Sequence, residues 1–222
     1  MKLVVFGDSF VEGLIKEPVL NSTEERKDIS FVNQLTYLDN PFTASKNMGR
    51  RGASNRLIAN RVWKEVQLIE NTKSVFYLVC WSGPWRGFDV KETDKKHKPY
   101  LDFPNFHFET DMVILFIKSL LESLNIPFLQ TNSFAPLENK LPIDIYKSAN
   151  YLFAEYKRNT LFDIIADRFL KEESLNSKDY YKNHNNFDIP KSNLVADCKH
   201  PSPLGHKKIA ETLNLHIKEY IR

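Results

Sequence analysis

The sequence predicts an α/β chain, a three-layer α/β/α arrangement around a mostly parallel sheet. Short apolar runs alternate with longer amphipathic segments in the order β-α-β-α-β-α-β-α. The runs that read as strands, above all residues 3–6 and 75–81, are apolar without interruption, as strands covered on both faces are. The 222 residues, 42% of them hydrophobic, are enough to bury a substantial core. No repeat, low-complexity tract or Gly/Ser linker divides them, so 1–222 reads as one domain.

Each element has its own signal. Residues 3–6 form the first strand. A short helix follows at 30–38, and a weak second strand at 42–47. The stretch 54–70 carries Leu57, Ile58, Val62, Val66 and Ile69 at helical spacing, with Ser54 or Asn55 as its cap. Residues 75–81 are the strongest strand. A helix with a wide apolar stripe covers about 110–124, and Asn125-Ile126-Pro127 ends it before a strand at 128–131. Two consecutive helices are expected at 144–158 and 160–173, and a final amphipathic helix at 204–221. Segments 14–29, 83–109 and 174–196 do not fit the alternation, and connections of that length are usually functional or disordered. The middle one follows the third strand, beside the crevice of an open parallel sheet, and its Trp85, Tyr100, Phe103, Phe106 and Phe108 suit either an apolar wall or a satellite core.

Charge and cysteine usage narrow the classes. With 31 Lys+Arg against 28 Asp+Glu the net charge is +3, and the signs are interspersed, which gives no reason to invoke nucleic acid. Two cysteines, Cys80 and Cys198, make no disulfide framework and read as free thiols. The opening residues lack a signal peptide and no stretch is long enough to cross a bilayer, so the expectation is a cytoplasmic protein without membrane insertion. Oligomeric state is not legible.

Chemistry concentrates at the two ends. Gly7-Asp8-Ser9-Phe10 closes the first strand, and a serine on a strand-to-helix turn presents its hydroxyl at the open edge of the sheet. Such a pair also suits plain helix capping. A nucleophilic serine needs a base, and the base needs an orienting group. Asp197-Cys198-Lys199-His200-Pro201 supplies both, since a carboxylate three residues from an imidazole can share one loop with it. His107, His184, His206 and His216 have no carboxylate at the same spacing before them in the sequence. His97, His107, Glu109 and Asp111 read as solvated loop residues, with no metal site expected. Neither a Gly-x-Gly-x-x-Gly nor a Walker loop is present, and no cofactor is expected. The basic run Lys95-Lys96-His97-Lys98 and the pair Arg50-Arg51 suit a solvated face, or an anionic substrate if Arg50 or Arg51 faces the pocket.

Taken together, these blocks resemble the SGNH, or GDSL-like, hydrolase superfamily of esterases and lipases. Gly7-Asp8-Ser9 matches its first block, Asn47-Met48-Gly49-Arg50-Arg51-Gly52 its second, and Asp197 and His200 its last. The resemblance implies a flavodoxin-like sheet, Ser9 as nucleophile, and backbone N–H groups of Ser9 and Gly52 as oxyanion-hole donors. The third block departs from the pattern. Where the family has Gly-x-Asn-Asp, this chain has Cys80-Trp81-Ser82-Gly83, which puts Ser82 at the position of an oxyanion-binding asparagine. A hydroxyl there implies a weaker oxyanion hole, for which Arg86 or Asn55 are candidate substitutes.

The expected function is thus a serine esterase acting on a small carboxylic ester, such as an acetyl ester of a carbohydrate, through Ser9, His200 and Asp197. Two alternatives from other classes stand beside it. One is a weak or inactive binding protein that kept the fold, suggested by the missing asparagine. The other is a flavodoxin-like nucleotide or flavin binder, which the alternation suits and the lack of a phosphate loop opposes.

Overall fold

The structure is a computed structural model and describes residues 1–13, 29–83, 104–133, 141, 145–152, 160–165, 193–196 and 200–221. Its elements are β1 (Lys2–Gly7), α1 (Ser9–Glu12), α2 (Phe31–Leu35), β2 (Ala44–Gly49), α3 (Asn55–Val66), β3 (Val75–Trp81), α4 (Pro104–Ser123), β4 (Phe128–Asn132), α5 (Leu161–Ile165) and α6 (Pro203–Ile221). The four strands form one sheet in the order β2-β1-β3-β4, and every pairing is parallel. The order reverses between β1 and β3, so the crevice opens where the carboxyl ends of those two strands diverge.

Alternation along β1 explains the three layers. Leu3 and Val5 face a cluster completed by Phe76, Leu78, Leu129 and residues of α1, α2, α5 and α6. Val4 and Phe6 face the opposite cluster, with Tyr77, Val79 and the inner stripes of α3 and α4. Side chains of successive strand residues point to opposite faces, so an unbroken apolar run is what a strand between two helical layers requires. Each fully buried Leu, Ile or Phe contributes about 1.5–3 kcal/mol of transfer free energy.

Of the two caps expected for α3, Ser54 serves, its hydroxyl accepting from the Leu57 N–H. Elsewhere the elements depart from the sequence expectations. The second strand runs over Ala44–Gly49 instead of 42–47; Phe42 is buried and packs on Phe76. Helix α4 starts at Pro104, so His107, Phe108, Glu109 and Asp111 lie on a helix and not in a loop. Asp111 is fully buried and accepts a hydrogen bond from the Tyr146 hydroxyl, so it is not the solvated residue expected. Among the described residues of 144–158 there is no α-helix: Ile145–Lys147 is a 3-10 turn, and Tyr151 forms a parallel bridge to Gln130. Residues 150–152 run along β4 at the sheet edge, 144 and 153–158 lie outside the described residues, and apolar spacing alone does not separate such a segment from a helix.

The helix expected at 160–173 is seen as α5, with 166–173 outside the described residues. Asn125 ends α4 in the left-handed region (φ 53), and Ile126 N–H reaches back to the Leu121 carbonyl at 3.0 Å, a Schellman closure. No helix among the described residues is long and apolar enough to cross a membrane.

Candidate active site

Ser9 is the first residue of α1, directly after β1. Asp8 caps that helix: its Oδ1 accepts from the Phe10 N–H at 3.0 Å, and its carbonyl accepts from the Glu12 N–H at 3.0 Å. Capping and chemistry were rival readings of this pair in the sequence, and here the capping falls to Asp8 while Ser9 is left to face another group. Gly13, in the left-handed region at φ 82, ends the helix after a single turn.

That group is His200. Its Nε2 lies 2.9 Å from the Ser9 Oγ, across 191 residues of sequence. An imidazole at this distance can take the hydroxyl proton if Nε2 carries none, which puts the ring proton on Nδ1. His200 sits in a loop whose arms are joined by an antiparallel bridge between Val195 and Pro201, with Ala196 N–H on the His200 carbonyl and Ser202 N–H on the Leu194 carbonyl, both at 2.9 Å. Its ring also lies against Phe10, with centroids 5.4 Å apart, and Phe10 meets Phe162 edge-on at 6.3 Å. Asp197 lies outside the described residues, as do Cys198, Arg86, Trp85, Tyr100, Phe103, His97, His184 and the lysines of 95–98. Phe108 is half exposed on α4.

The loop after β2 starts beside the Ser9 turn, because Gly49 pairs with Gly7 and the Arg50 N–H bonds the Gly7 carbonyl at 3.1 Å. Close packing demands glycine at both positions. A Cβ on Gly49 would stand 2.3 Å from the Glu12 backbone nitrogen, and one on Gly7 2.3 Å from the Val11 side chain. Asn47 locks the junction: its amide donates to the Val11 carbonyl at 2.7 Å, and its oxygen accepts from the Gly49 N–H at 2.9 Å. Glu12 adds a carboxylate bond to the Arg51 N–H. Gly52 adopts φ 71 in the following turn, with open space where a Cβ would stand. The side chains of Arg50 and Arg51 are exposed.

Ser82 follows β3 and is buried. Its hydroxyl donates to Asp8 Oδ2 at 3.0 Å. Asn55, one of the candidate substitutes for the missing asparagine, uses both ends of its amide on Ser82: the oxygen accepts from the Ser82 N–H at 2.8 Å and the nitrogen donates to the Ser82 carbonyl at 3.0 Å. The structure therefore brings together Ser9, His200, Asp8, Ser82 and Asn55. Sequence reasoning missed the Asp8–Ser82 contact, the support of His200 by Phe10 and the Glu12 brace. Only Phe10, next to the serine, carried a local signal.

Two buried groups beside the site are held neutral. Burial, reinforced by Asp8, raises the Cys80 thiol well above its ordinary range, so it is a protonated, inert filler. Burial and the neighbouring His200 push His206 down to about 3. Its Nδ1 accepts from the Phe31 N–H at 3.3 Å and its ring stacks on Phe31, so this histidine joins α6 to α2. Among the described residues no group of three or more His, Cys, Asp or Glu side chains could hold a metal ion.

No family model and no curated protein matches the chain by sequence. Solved structures do match. A G-D-S-L family protein from Desulfitobacterium hafniense DCB-2 superposes with a TM-score of 0.57 at 14% identity, covering 97% of this chain and 98% of that one. A member of the lipolytic protein G-D-S-L family from Veillonella parvula DSM 2008 gives 0.48 at 12% identity over 100% and 98%. A catalytic mutant of Axe2, an acetylxylan esterase from Geobacillus stearothermophilus, gives 0.47 at 15% identity over 97% and 93%. At such identities the first likeness carries the fold, which is the α/β fold of the GDSL-type proteins.

Proposed function

We propose that the chain is a serine esterase that hydrolyses a small carboxylic ester by two-step acyl transfer. The observation that carries this reading is the 2.9 Å contact between Ser9 Oγ and His200 Nε2 at the carboxyl edge of the sheet. His200 removes the proton as Ser9 attacks the ester carbonyl, then returns it to the leaving alcohol; water hydrolyses the acyl-enzyme by the same steps. Asp197, three residues upstream, is proposed to hold the imidazole in the required tautomer.

The Ser9 N–H belongs to the first turn of α1, whose leading donors have no partner within the helix, and with the Gly52 N–H it is proposed to receive the oxyanion. Ser9 is 3% exposed, which favours a short acyl group such as acetyl. A carbohydrate acetyl ester is the substrate class we put first, handled by a single domain.

The test is covalent. Wild-type protein is expected to react with a fluorophosphonate at Ser9 and to hydrolyse p-nitrophenyl acetate, and Ser9→Ala to do neither. Equal behaviour of the two proteins would overturn the reading. Separation of Ser9 and His200 beyond hydrogen-bond reach would support a binding protein without turnover, and the 2.9 Å contact favours the enzyme instead.

A further inference from the structure

The side chain at the asparagine position of the third block has a different occupation from the one its place in the sequence suggests. Ser82 is the residue after β3, where that strand outruns its neighbour: the β1–β3 pairing ends at Phe6 and Val79. With no strand on that side, the amide of Asn55 takes the place of a ladder partner and satisfies both the N–H and the C=O of Ser82. The same amide nitrogen lies 3.4 Å from the Thr110 hydroxyl, so α3 and α4 both hold the clamp. Side-chain burial leaves it little freedom, with Asn55 2% and Ser82 1% exposed.

Once the backbone of Ser82 is fixed, its hydroxyl has one proton to give, and that proton goes to Asp8 Oδ2. The other oxygen of Asp8 accepts from the Phe10 N–H. Asp8, itself 1% exposed, is thus held at both oxygens, once by the helix it caps and once by the loop after β3. Ser9 is the next residue. A serine on a one-turn helix has few intrahelical bonds to fix its direction, and the tether from β3 supplies what the helix lacks.

We propose that Ser82 is a positioning residue that aims the Ser9 turn through Asp8, and is not an oxyanion donor. The activity part of this proposal rests on the esterase reading; the tether itself does not. Misplacement of a reacting group by an ångström costs about 10²-fold in rate, and a slackened turn should cost part of that.

The experiment combines a double-mutant cycle with a measurement that needs no turnover. Ser82→Ala is expected to lower kcat on p-nitrophenyl acetate about tenfold, with KM within about twofold. In an Asp8→Ala background, where position 8 offers the hydroxyl no partner, the same change is expected to cost less than about twofold. An oxyanion donor would instead cost its full factor, about 10²–10³, in both backgrounds, and that result overturns the proposal.

Independently, amide hydrogen exchange at Phe10 should accelerate in Ser82→Ala while that of Leu78 in β3 stays unchanged. Unchanged protection at Phe10 also overturns the proposal. If Ser82→Ala fails to fold, Ser82→Cys, whose thiol is only a weak donor, asks the same question, with faster exchange at Phe10 expected and unchanged exchange counting against the tether. Should the wild-type protein fail to label at Ser9, the exchange result still decides the tether, and only the esterase reading falls.

Discussion

The two halves of the Ser9–His200 pair are fastened in different ways. The serine turn is held from three sides: β1 delivers it, β2 and the loop after it brace it through Asn47, Gly49 and the Arg51 N–H on Glu12, and the residue after β3 bonds Asp8. Among the described residues the histidine loop is held by its own arms and by α6, with Ser202 capping that helix through the Gly205 N–H at 3.1 Å and bonding the Asn193 carbonyl. Across the gap it touches Phe10 and Ser9. Strain applied to the serine side is shared among three loops; strain applied to the histidine side passes into one helix. The serine side should therefore tolerate the loss of any one polar brace better than the histidine side tolerates a shift of α6.

The largest expected effect ignores that difference. Ser9→Ala and His200→Ala should each lower ester hydrolysis by roughly 10⁴–10⁶, and the double variant should lose little more, because the pair acts as a unit. Steady-state kinetics that gave two independent, multiplying losses would break the pairing.

Backbone crowding comes next and probes the two sides separately. A Cβ at position 205 would stand 2.1 Å from the Leu194 carbonyl oxygen, and at position 49 it would stand 2.3 Å from the Glu12 nitrogen. Gly205→Ala and Gly49→Ala are each expected to cost about 1–3 kcal/mol or more in urea unfolding. Gly205→Ala should lower kcat further for a given loss of stability, because it displaces α6 and the loop before it.

The third prediction concerns pH and the seat of α6. His206 titrates at about 3 in the folded chain and near 6.5 when unfolded. Between those values the unfolded chain binds a proton that the folded chain refuses, so stability is lost as pH falls, by about 1.4 kcal/mol per pH unit. Above pH 6.5 both forms are neutral and the contribution to the slope vanishes. His206→Gln should flatten this part of the stability curve; parallel curves for variant and wild type from pH 6 to 4 would contradict it. The smallest effect is expected for Phe10→Leu, about 1 kcal/mol by urea midpoint, from the loss of ring contacts to Phe162 and His200.

Sequence reasoning reached the fold through features whose causes are local. An uninterrupted apolar run at 75–81 predicts a strand between two layers, and β3 is buried along its whole length. Asn125-Ile126-Pro127 predicts a helix end because the chemistry of termination lies within those residues. It failed where burial is decided at long range. Nothing near Asp111 in the chain announces Tyr146, and the apolar spacing of 144–158 fits an edge segment as well as a helix.

The candidate site divides along the same line. Ser9 and His200 were legible from the residues around each of them, and Gly49 as part of the loop that approaches the turn. Ser82 was legible as a departure at a known place, but its occupation was not, because the hydroxyl's partner lies 74 residues away and its backbone's partner 27 away.

The span between Ser9 and His200 also has a meaning in time. A ribosome adds about 5–20 residues per second, so roughly 10–40 s pass between synthesis of the serine and of a histidine 191 residues later. Through that interval His200 is not beside the hydroxyl. The contact between them cannot form before the segment ahead of α6 has been made, so it is among the last the growing chain can complete.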